Sequence, residues 1–530
     1  MANHTAAEAG ITPSGTFTIT IPPPFSLSLT LFPSFVRTSV LAIFGLAITT
    51  YLISSIIAYR RLRAFDGPFL ASFSYVWIIR NYQTGRMGET LTSLHTTYDS
   101  PAVRIGPNDL LVKDPDVLKR TSAARSRYTR SNWYALNKVD PYHDHMFSTT
   151  DTAAHDKIKA KTAAGYAGKD NPTFEKDMDD LLREMVGQIR TKVSGRQLLD
   201  LATMVQYFTL DSISKVAFGQ AFGYLRAQED LYGFIASMRE FGPTFVTVAA
   251  VPYLADIMST TLMNRLLGPK PTDKTGMGVI LGLGQEVVSK RWNLPDAKDK
   301  QDMLGSFIRH GMTEKQCQGE AMLQLVAGSD TTATSIRATM LHIITNPRVY
   351  RALQAEIDQG IKDGKVSSPI TSAEAQKLPY LQAVIYEGLR IHPPFHGLNS
   401  KLVPPEGDTI AGKFVPGGTR ISPSIFGVTR NNAVFGDDAD LFRPERWLEA
   451  SSQQAADMKK ITDLVFGYGR WACAGKVLAF MELNKTYVEL LRHFDFQLAY
   501  PLKPWDSVHL NLFLQKDMWV SVTERESKEK

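Results

Sequence analysis

Residues 39–58 read SVLAIFGLAITTYLISSIIA, 20 residues without a charge. As a helix the run covers about 30 Å, the thickness of a bilayer's hydrocarbon core. Lipid offers no partner to backbone N–H and C=O groups, so a single helix is the form open to such a segment. A core helix of a soluble protein is the alternative, but nothing in the flanks pairs the run with other elements. A cleaved signal peptide would carry a shorter apolar stretch followed by a small-residue cleavage site. Only Arg37 is basic before the run, whereas Arg60, Arg61 and Arg63 follow it. Positive charge collects on the cytosolic side. The pattern therefore predicts a lumenal tail over 1–38, a membrane helix over 39–58, a linker over 59–68 and a cytosolic body over 69–530.

The tail is rich in Ser, Thr and Pro, with Pro22, Pro23 and Pro24 in a row, and reads as unstructured. Asn3-His4-Thr5 is a glycosylation sequon, usable if the tail is lumenal. The sequon at Asn484 falls in the body and is read as chance. Arg63–Pro68 (RAFDGP) is a basic, turn-forming connection. A second apolar stretch, 241–254, is too short to span and contains Pro243 and Pro252. It reads as buried helix ends, with a loop dipping into the bilayer as the other possibility.

The body is an ordinary globular sequence. At 44% hydrophobic and 21% charged residues, the chain of 530 residues is neither disordered, collagen-like nor coiled coil. A net charge of +6 with no basic stripe interleaved with aromatics excludes a nucleic-acid partner. Two cysteines, Cys317 and Cys473, support neither a disulfide framework nor a zinc site of the CxxC type, and fit a reducing compartment. Residues 102–112 read as a hairpin, 313–344 as a long helix, and 347–363, 378–391 and 474–493 as further helices. Short strands and turns fall between 408 and 424. Helices outnumber strands, and no repeat or linker cuts the body into separate domains.

One segment carries chemistry by itself: Phe466-Gly467-Tyr468-Gly469-Arg470-Trp471-Ala472-Cys473-Ala474-Gly475. A glycine-rich loop feeds a helix with a cysteine at the junction. There, backbone N–H groups and the helix N-terminus favour a thiolate, and the glycines let the backbone turn tightly against a flat partner. A lone cysteine is more often structural, but the density of glycine around this one argues otherwise. Two further segments are weaker alone. Glu387 and Arg390 share a helix face, which could be a mere surface pair. Ala327-Gly328-Ser329-Asp330-Thr331-Thr332 places poor helix formers in mid-helix. That signals either tight packing against a neighbour or a local opening with a threonine hydroxyl on the carbonyl one turn back. Gly282-Leu283-Gly284 mimics part of a dinucleotide fingerprint, but lacks the third glycine and a preceding strand.

Together these segments resemble the cytochrome P-450 family over roughly 66–525, and fungal microsomal members of the pisatin-demethylase type in particular. The loop is similar to the family's heme-binding loop, with Cys473 at the axial thiolate, Phe466 at the aromatic beside the sulfur, and Gly467, Gly469 and Gly475 at its turns. Trp471 departs from it, standing where the family has Arg or His on a heme propionate; Arg470, or the indole N–H, is the expected substitute. Glu387 and Arg390, with Arg446 of the Pro444-Glu445-Arg446-Trp447 meander, match the family's buried triad. Ala327, Asp330 and Thr331 fall on its oxygen-binding groove, with Asp330 and Thr331 as the acid–alcohol pair, Thr331 facing the iron and Asp330 connecting to water. His155 and Lys159 sit where the family has a Trp/His-x-x-x-Arg contact to the propionates, and Lys401 is a further candidate.

The resemblance implies a mainly α fold with small β-sheets, a triangular helical prism, behind an N-terminal membrane helix. It implies heme b, dioxygen, an apolar small-molecule substrate and electrons from NADPH-cytochrome P-450 reductase. No flavin or nicotinamide domain is recognisable in the chain. The expected activity is a monooxygenase at the endoplasmic reticulum membrane, in contact with lipid, within fungal secondary metabolism. Desaturation, rearrangement or peroxide-driven chemistry on the same scaffold, or a heme sensor, are the rivals. Leu325, Ala327, Phe395, His396, Leu512 and Phe513 are the expected pocket residues.

Overall fold

The computed structural model describes residues 8–11, 17–20, 28–31, 33–138 and 143–526. The Asn3 sequon and the three consecutive prolines lie outside the described residues. Where the sequence predicts an unstructured tail, three short strands, Glu8–Ile11, Phe17–Thr20 and Ser28–Leu31, pair as an antiparallel sheet. The alternation in FTIT and SLTL is strand-like, with proline-containing segments between.

Helix α1 runs from Pro33 to Arg61, longer at both ends than the apolar run. Residues Arg37–Arg61 average a hydropathy of 2.2 over their most apolar window, of which 6% is buried, so most of its side chains are bare, and Tyr51 and Ser55 touch the body through Phe73 O. Arg60 and Arg61 extend the helix because cations complement the negative end of its dipole. The connection that follows is tightly held. Arg104, fully buried, donates through Nη2 to Ala58 O (2.9 Å) and through Nη1 to Tyr59 O (3.3 Å), capping the last carbonyls of α1. It also binds Ser72 O, Gly106 O and Pro107 O. Leu62 and Phe65 are buried against the adjoining sheet. Helix α1 thus meets the body through a guanidinium clamp instead of a loose linker.

That sheet has five strands: β1 (Ala102–Gly106), β2 (Asp109–Val112), β3 (Thr129–Arg130), β4 (Lys401–Leu402) and β5 (Arg420–Pro423), in spatial order β1-β2-β5-β4-β3. The expected hairpin is β1 and β2, antiparallel. Strands β2 and β5 pair in parallel, and the remaining pairs are antiparallel.

Apart from three smaller sheets, formed by 408–415, by 199–200 with 494–498 and 519–524, and by 506–516, helices make up the rest. α2 (Thr152–Tyr166) and α3 (Leu201–Phe218) precede a bent pair, α4 (Phe234–Ala250) and α5 (Pro252–Met258), which meet at 115°. The stretch read as buried helix ends is split between two environments. Ala249, Ala250 and Val251 at the bend are buried, whereas Phe241, Tyr253 and Ile257 are exposed. The central helix α6 (Glu314–Ile344) opens on a capping box in which Thr313 Oγ1 accepts from Gln316 N and Gln316 Oε1 accepts from Thr313 N. It packs on α3, α7 (Pro379–Ile391) and α8 (Lys476–His493). Gly328 marks a close approach to α3: a Cβ there would lie 2.8 Å from Ile213 Cγ1. The main apolar core fills the space among α3, α6, α7 and α8. Asn484 is buried in α8, with its amide on Phe480 O and Gln382, and is closed to a glycan.

Candidate active site

The loop before α8 is built around its cysteine. Gly467 and Gly469 take φ of +71° and +56°, which a side chain would strain, and a Cβ on Gly469 would lie 2.4 Å from Ser122 O. Cys473 N donates to Phe466 O (2.7 Å), closing the loop. The Phe466 ring rests against Phe480 at 5.4 Å. The N–H groups of Gly475 and Lys476, in the first turn of α8, point at the sulfur, and Lys159 and Lys476 add positive charge. These pull the thiol's pKa down, but burial outweighs them and the net shift is upward. The protein alone therefore favours the thiol, and a metal ion is what would hold the thiolate. Cys473 is nevertheless exposed, though protein surrounds it, so its side chain borders an interior space. Ala327, midway along α6 among buried residues, is exposed in the same manner. Cys317 is buried near the start of α6, with its thiol pushed up to about 12 by desolvation.

Helix α6 is continuous through 327–332. Thr331 Oγ1 donates to Ala327 O at 2.9 Å, so the hydroxyl is tied to the carbonyl one turn back. Asp330 points elsewhere. It is buried against α3, with Oδ1 accepting from Gln206 Nε2 at 2.8 Å and Oδ2 without a partner. Gln206 Oε1 in turn accepts from Arg337. Asp330 therefore faces a buried amide and a guanidinium where the sequence reading had it connecting to water. Desolvation raises its pKa, and Arg337 opposes the rise.

Glu387, Arg390 and Arg446 meet in the interior. Arg390 grips Glu387 with two bonds of 2.8 Å, and Arg446 Nε donates to Glu387 Oε1 at 3.0 Å. Trp447 Nε1 and Arg443 N complete the carboxylate's shell at 2.9 and 2.8 Å. The guanidiniums use their remaining donors on the carbonyls of Thr429, Ala439, Leu441 and Phe435. A buried ion group satisfied this completely holds its segments in one arrangement.

The groups expected at the propionates divide into two sets. Arg470 turns to α2 and donates to Asp156 Oδ2 (3.1 Å), and Lys159 Nζ donates to Arg470 O (2.5 Å). Both tie the loop to α2. His155, Trp471 and Lys401 are buried or half-buried beside one another's elements. The His155 ring lies 4.4 Å from that of Trp471; burial lowers its pKa to about 4, so it is neutral. Burial, with Arg130 adding to it, brings Lys401 to about 8. The indole Nε1 of Trp471 is buried without a partner. Sequence reasoning missed Arg130, whose guanidinium carbon stands 4.3 Å from the centre of the Trp471 ring. Only the tertiary pairing of β3 with β4 brings it there.

Of the expected pocket residues, Leu325 is buried on α6, and Phe395 is bridged to Leu512. His396 turns away from Phe395, packing on Phe426 and Phe513, with neither ring nitrogen bonded.

The family model described as Cytochrome P-450 matches residues 68–521. The chain belongs to the cytochrome P-450 family. It is similar to cytochrome P-450 monooxygenase ABA1 of Pyricularia oryzae, 48% identical over 489 residues, 90% of this chain and 95% of that protein. It is also similar to cytochrome P-450 monooxygenase aba1 of Botryotinia fuckeliana, 44% identical over 475 residues, 88% and 93% of the two chains. A crystal structure of the cytochrome P450DA heme domain superposes with a TM-score of 0.69 at 17% identity, covering 88% of this chain and 99% of that one. This P-450 is thus an oxidoreductase that works with heme iron on a cysteine thiolate, a redox partner, dioxygen and a small molecule. The site fits such a cofactor: the loop cradles a thiol that borders an interior space, and unpartnered donors of Trp471 and Arg130 stand ready for anionic groups.

Proposed function

We propose that this P-450 is a membrane-anchored monooxygenase that inserts one atom of dioxygen into an apolar small molecule, with Cys473 as the iron ligand. The observation that carries the reading is the pairing of the Gly475 and Lys476 N–H groups on the Cys473 sulfur with an exposed Cys473 inside the fold. Heme iron on that thiolate supplies the binding and activation of dioxygen.

The chain's own groups do the rest. Thr331 Oγ1, donating to Ala327 O, keeps its lone pairs free to accept from a water and fixes a proton position on the α6 face that carries Ala327. Burial raises the pKa of Asp330, and Gln206 Nε2, donating to its Oδ1, fixes that carboxyl within the α3–α6 contact. Leu325, Phe395 and Leu512 offer apolar surface to the substrate. Helix α1, with Arg60, Arg61 and Arg63 after it, anchors the body on the cytosolic face of the endoplasmic reticulum, where NADPH-cytochrome P-450 reductase delivers electrons. The similarity to fungal monooxygenases supports a place in fungal secondary metabolism.

The test compares metabolites of strains with and without the gene. The precursor that accumulates in the deletion strain is then supplied to microsomes with NADPH and labelled dioxygen. The expected product carries one labelled oxygen and requires the reductase. Turnover by peroxide alone, or a product without label, would overturn the reading.

A further inference from the structure

Two residues of α4, one turn apart and therefore on one face, meet the strand Phe513–Lys516. A Cβ on Gly242 would stand 3.7 Å from Leu514 Cδ1, and Arg239 Nη2 donates to Gln515 O at 3.1 Å. Gln515 is buried, so the guanidinium reaches inward from α4. There it acts electrostatically on Asp330 and Arg337, both buried in α6. The head of Arg239 thus stands where α4, α6 and the strand converge. Asp330 is next to Thr331 along α6, and Leu512 of the expected pocket leads into the strand.

This cation lacks a counter-charge. Among the described residues the bond to Gln515 O is the one hydrogen bond of Arg239, and no carboxylate lies at ion-pair distance from it. Asp330 is held by Gln206 Nε2, and burial pushes it toward its neutral form. Arg337 is a second cation in the same surroundings, and its donors go to Ala202 O and Gln206 Oε1. Asp200 and Asp230, which with Arg239 act on Tyr207, accept from backbone N–H groups, Asp200 from Ala202 and Met518, Asp230 from Ile235 and Ala236. Glu229, the other carboxylate acting on Tyr207, is exposed. Two guanidiniums therefore share an interior junction with one carboxyl that is already bonded to an amide. A half-buried cation left so is costly until an anion joins it.

We infer that Arg239 binds a carboxylate of the substrate, so that the small molecule taken by this P-450 is an apolar carboxylic acid whose charged end lies between α4 and the strand 513–516. The inference rests on the monooxygenase reading above and narrows its substrate class. Leu512 and Leu514, two residues apart on an extended chain, share one side of it and are half-buried. They offer apolar surface next to the cation, which suits a ligand charged at one end only. The planar guanidinium fork matches a carboxylate, and its N–H groups other than the one on Gln515 O remain to donate to it.

The test titrates the purified full-length holoprotein at neutral pH with dodecanoic acid, ionised there, and with dodecan-1-ol, the same chain without the charge. Binding is read from the shift of the heme Soret band. Wild type should bind the acid more tightly than the alcohol. Arg239→Gln should weaken the acid about 10- to 100-fold, the worth of a charge-assisted hydrogen bond, and leave the alcohol unchanged. Arg239→Lys keeps the charge and should retain part of the preference; where Arg239→Gln does not accumulate, a loss in Arg239→Lys confined to the acid carries the comparison. A merely structural arginine would move both ligands together, and that result overturns the proposal. So do equal affinities in wild type, no band shift with either chain, and a preference for the acid that outlasts Arg239→Gln. A fall in product formed per NADPH in Arg239→Gln with the acid preference intact would assign the guanidinium to Asp330 and also overturn it. If the reduced carbon monoxide complex of wild type lacks the red-shifted band of a thiolate ligand, the underlying reading fails instead.

Discussion

Removing the carboxylate of Glu387 should come close to unfolding the protein. In Glu387→Ala the guanidiniums of Arg390 and Arg446 stay where they are, held by the carbonyls of Thr429, Ala439, Leu441 and Phe435, but Arg390 loses its counter-charge and Arg446 keeps only that of Asp438. Removing one partner of a buried ion group costs about 3–5 kcal/mol, because the remaining charge is left uncompensated. Trp447 Nε1 and Arg443 N also lose their acceptor, at about 1 kcal/mol each when left unmade. A total of about 5–7 kcal/mol is a large part of the ~5–15 kcal/mol that holds a typical domain together. Glu387→Asp keeps the charge and should lose less than Glu387→Ala. The assay is urea unfolding followed by circular dichroism, with heme content measured in parallel. An unfolding midpoint for Glu387→Ala equal to that of wild type would refute the reasoning, since the buried charges would then have found other compensation.

Three further outcomes are expected. Thr331→Ala should retain heme and NADPH consumption while productive turnover falls by about 10²–10⁴-fold, read as product formed per NADPH consumed. Glu482, buried in α8 against the hydroxyls of Thr332 and Ser212, titrates at about 8, well above its unfolded value near 4.5. The native state thus binds the extra proton, and stability from this group falls as pH rises from about 4.5 through about 8. Glu482→Gln should remove that slope, seen as a flatter plot of urea midpoint against pH. Protease added to intact microsomes should digest the body and leave the segment before α1 protected; the reverse would mean that the charge asymmetry about α1 was misread.

What was legible in the sequence is what local chemistry dictates. The thiol loop declared itself because positive φ at Gly467 and Gly469 and a cysteine ahead of a helix leave a signature within ten residues. The central helix was readable from Thr313 and Glu314 at its start and Asn346-Pro347 at its close. The triad was readable through the resemblance, because Glu387 and Arg390 on one helix face and Arg446 in the Pro444–Trp447 turn match it together. Groups whose role depends on a distant partner were not. Arg130 lies on a strand of two residues whose mate, Lys401, is far along the chain. The resemblance placed Asp330 in the groove of α6 but could not show that Gln206 of α3 would fill its surroundings. Arg470 and Lys159 carry the right charge for a propionate, yet the short path between α2 and the loop turns them onto Asp156 and loop carbonyls. Arg104 gives no sequence hint that it caps helix α1, since its partners Ala58 and Tyr59 are identified only by contact.

The central claim is that Cys473 alone carries the iron, and the carbon monoxide difference spectrum of the reduced protein tests it most directly. Cys317 is buried inside helix α6, whereas Cys473 lies in the glycine loop with two backbone N–H groups on its sulfur. Cys317→Ala should retain the red-shifted Soret band of a thiolate-ligated heme, and Cys473→Ala should abolish it. A band that survives in Cys473→Ala and disappears in Cys317→Ala would contradict the account.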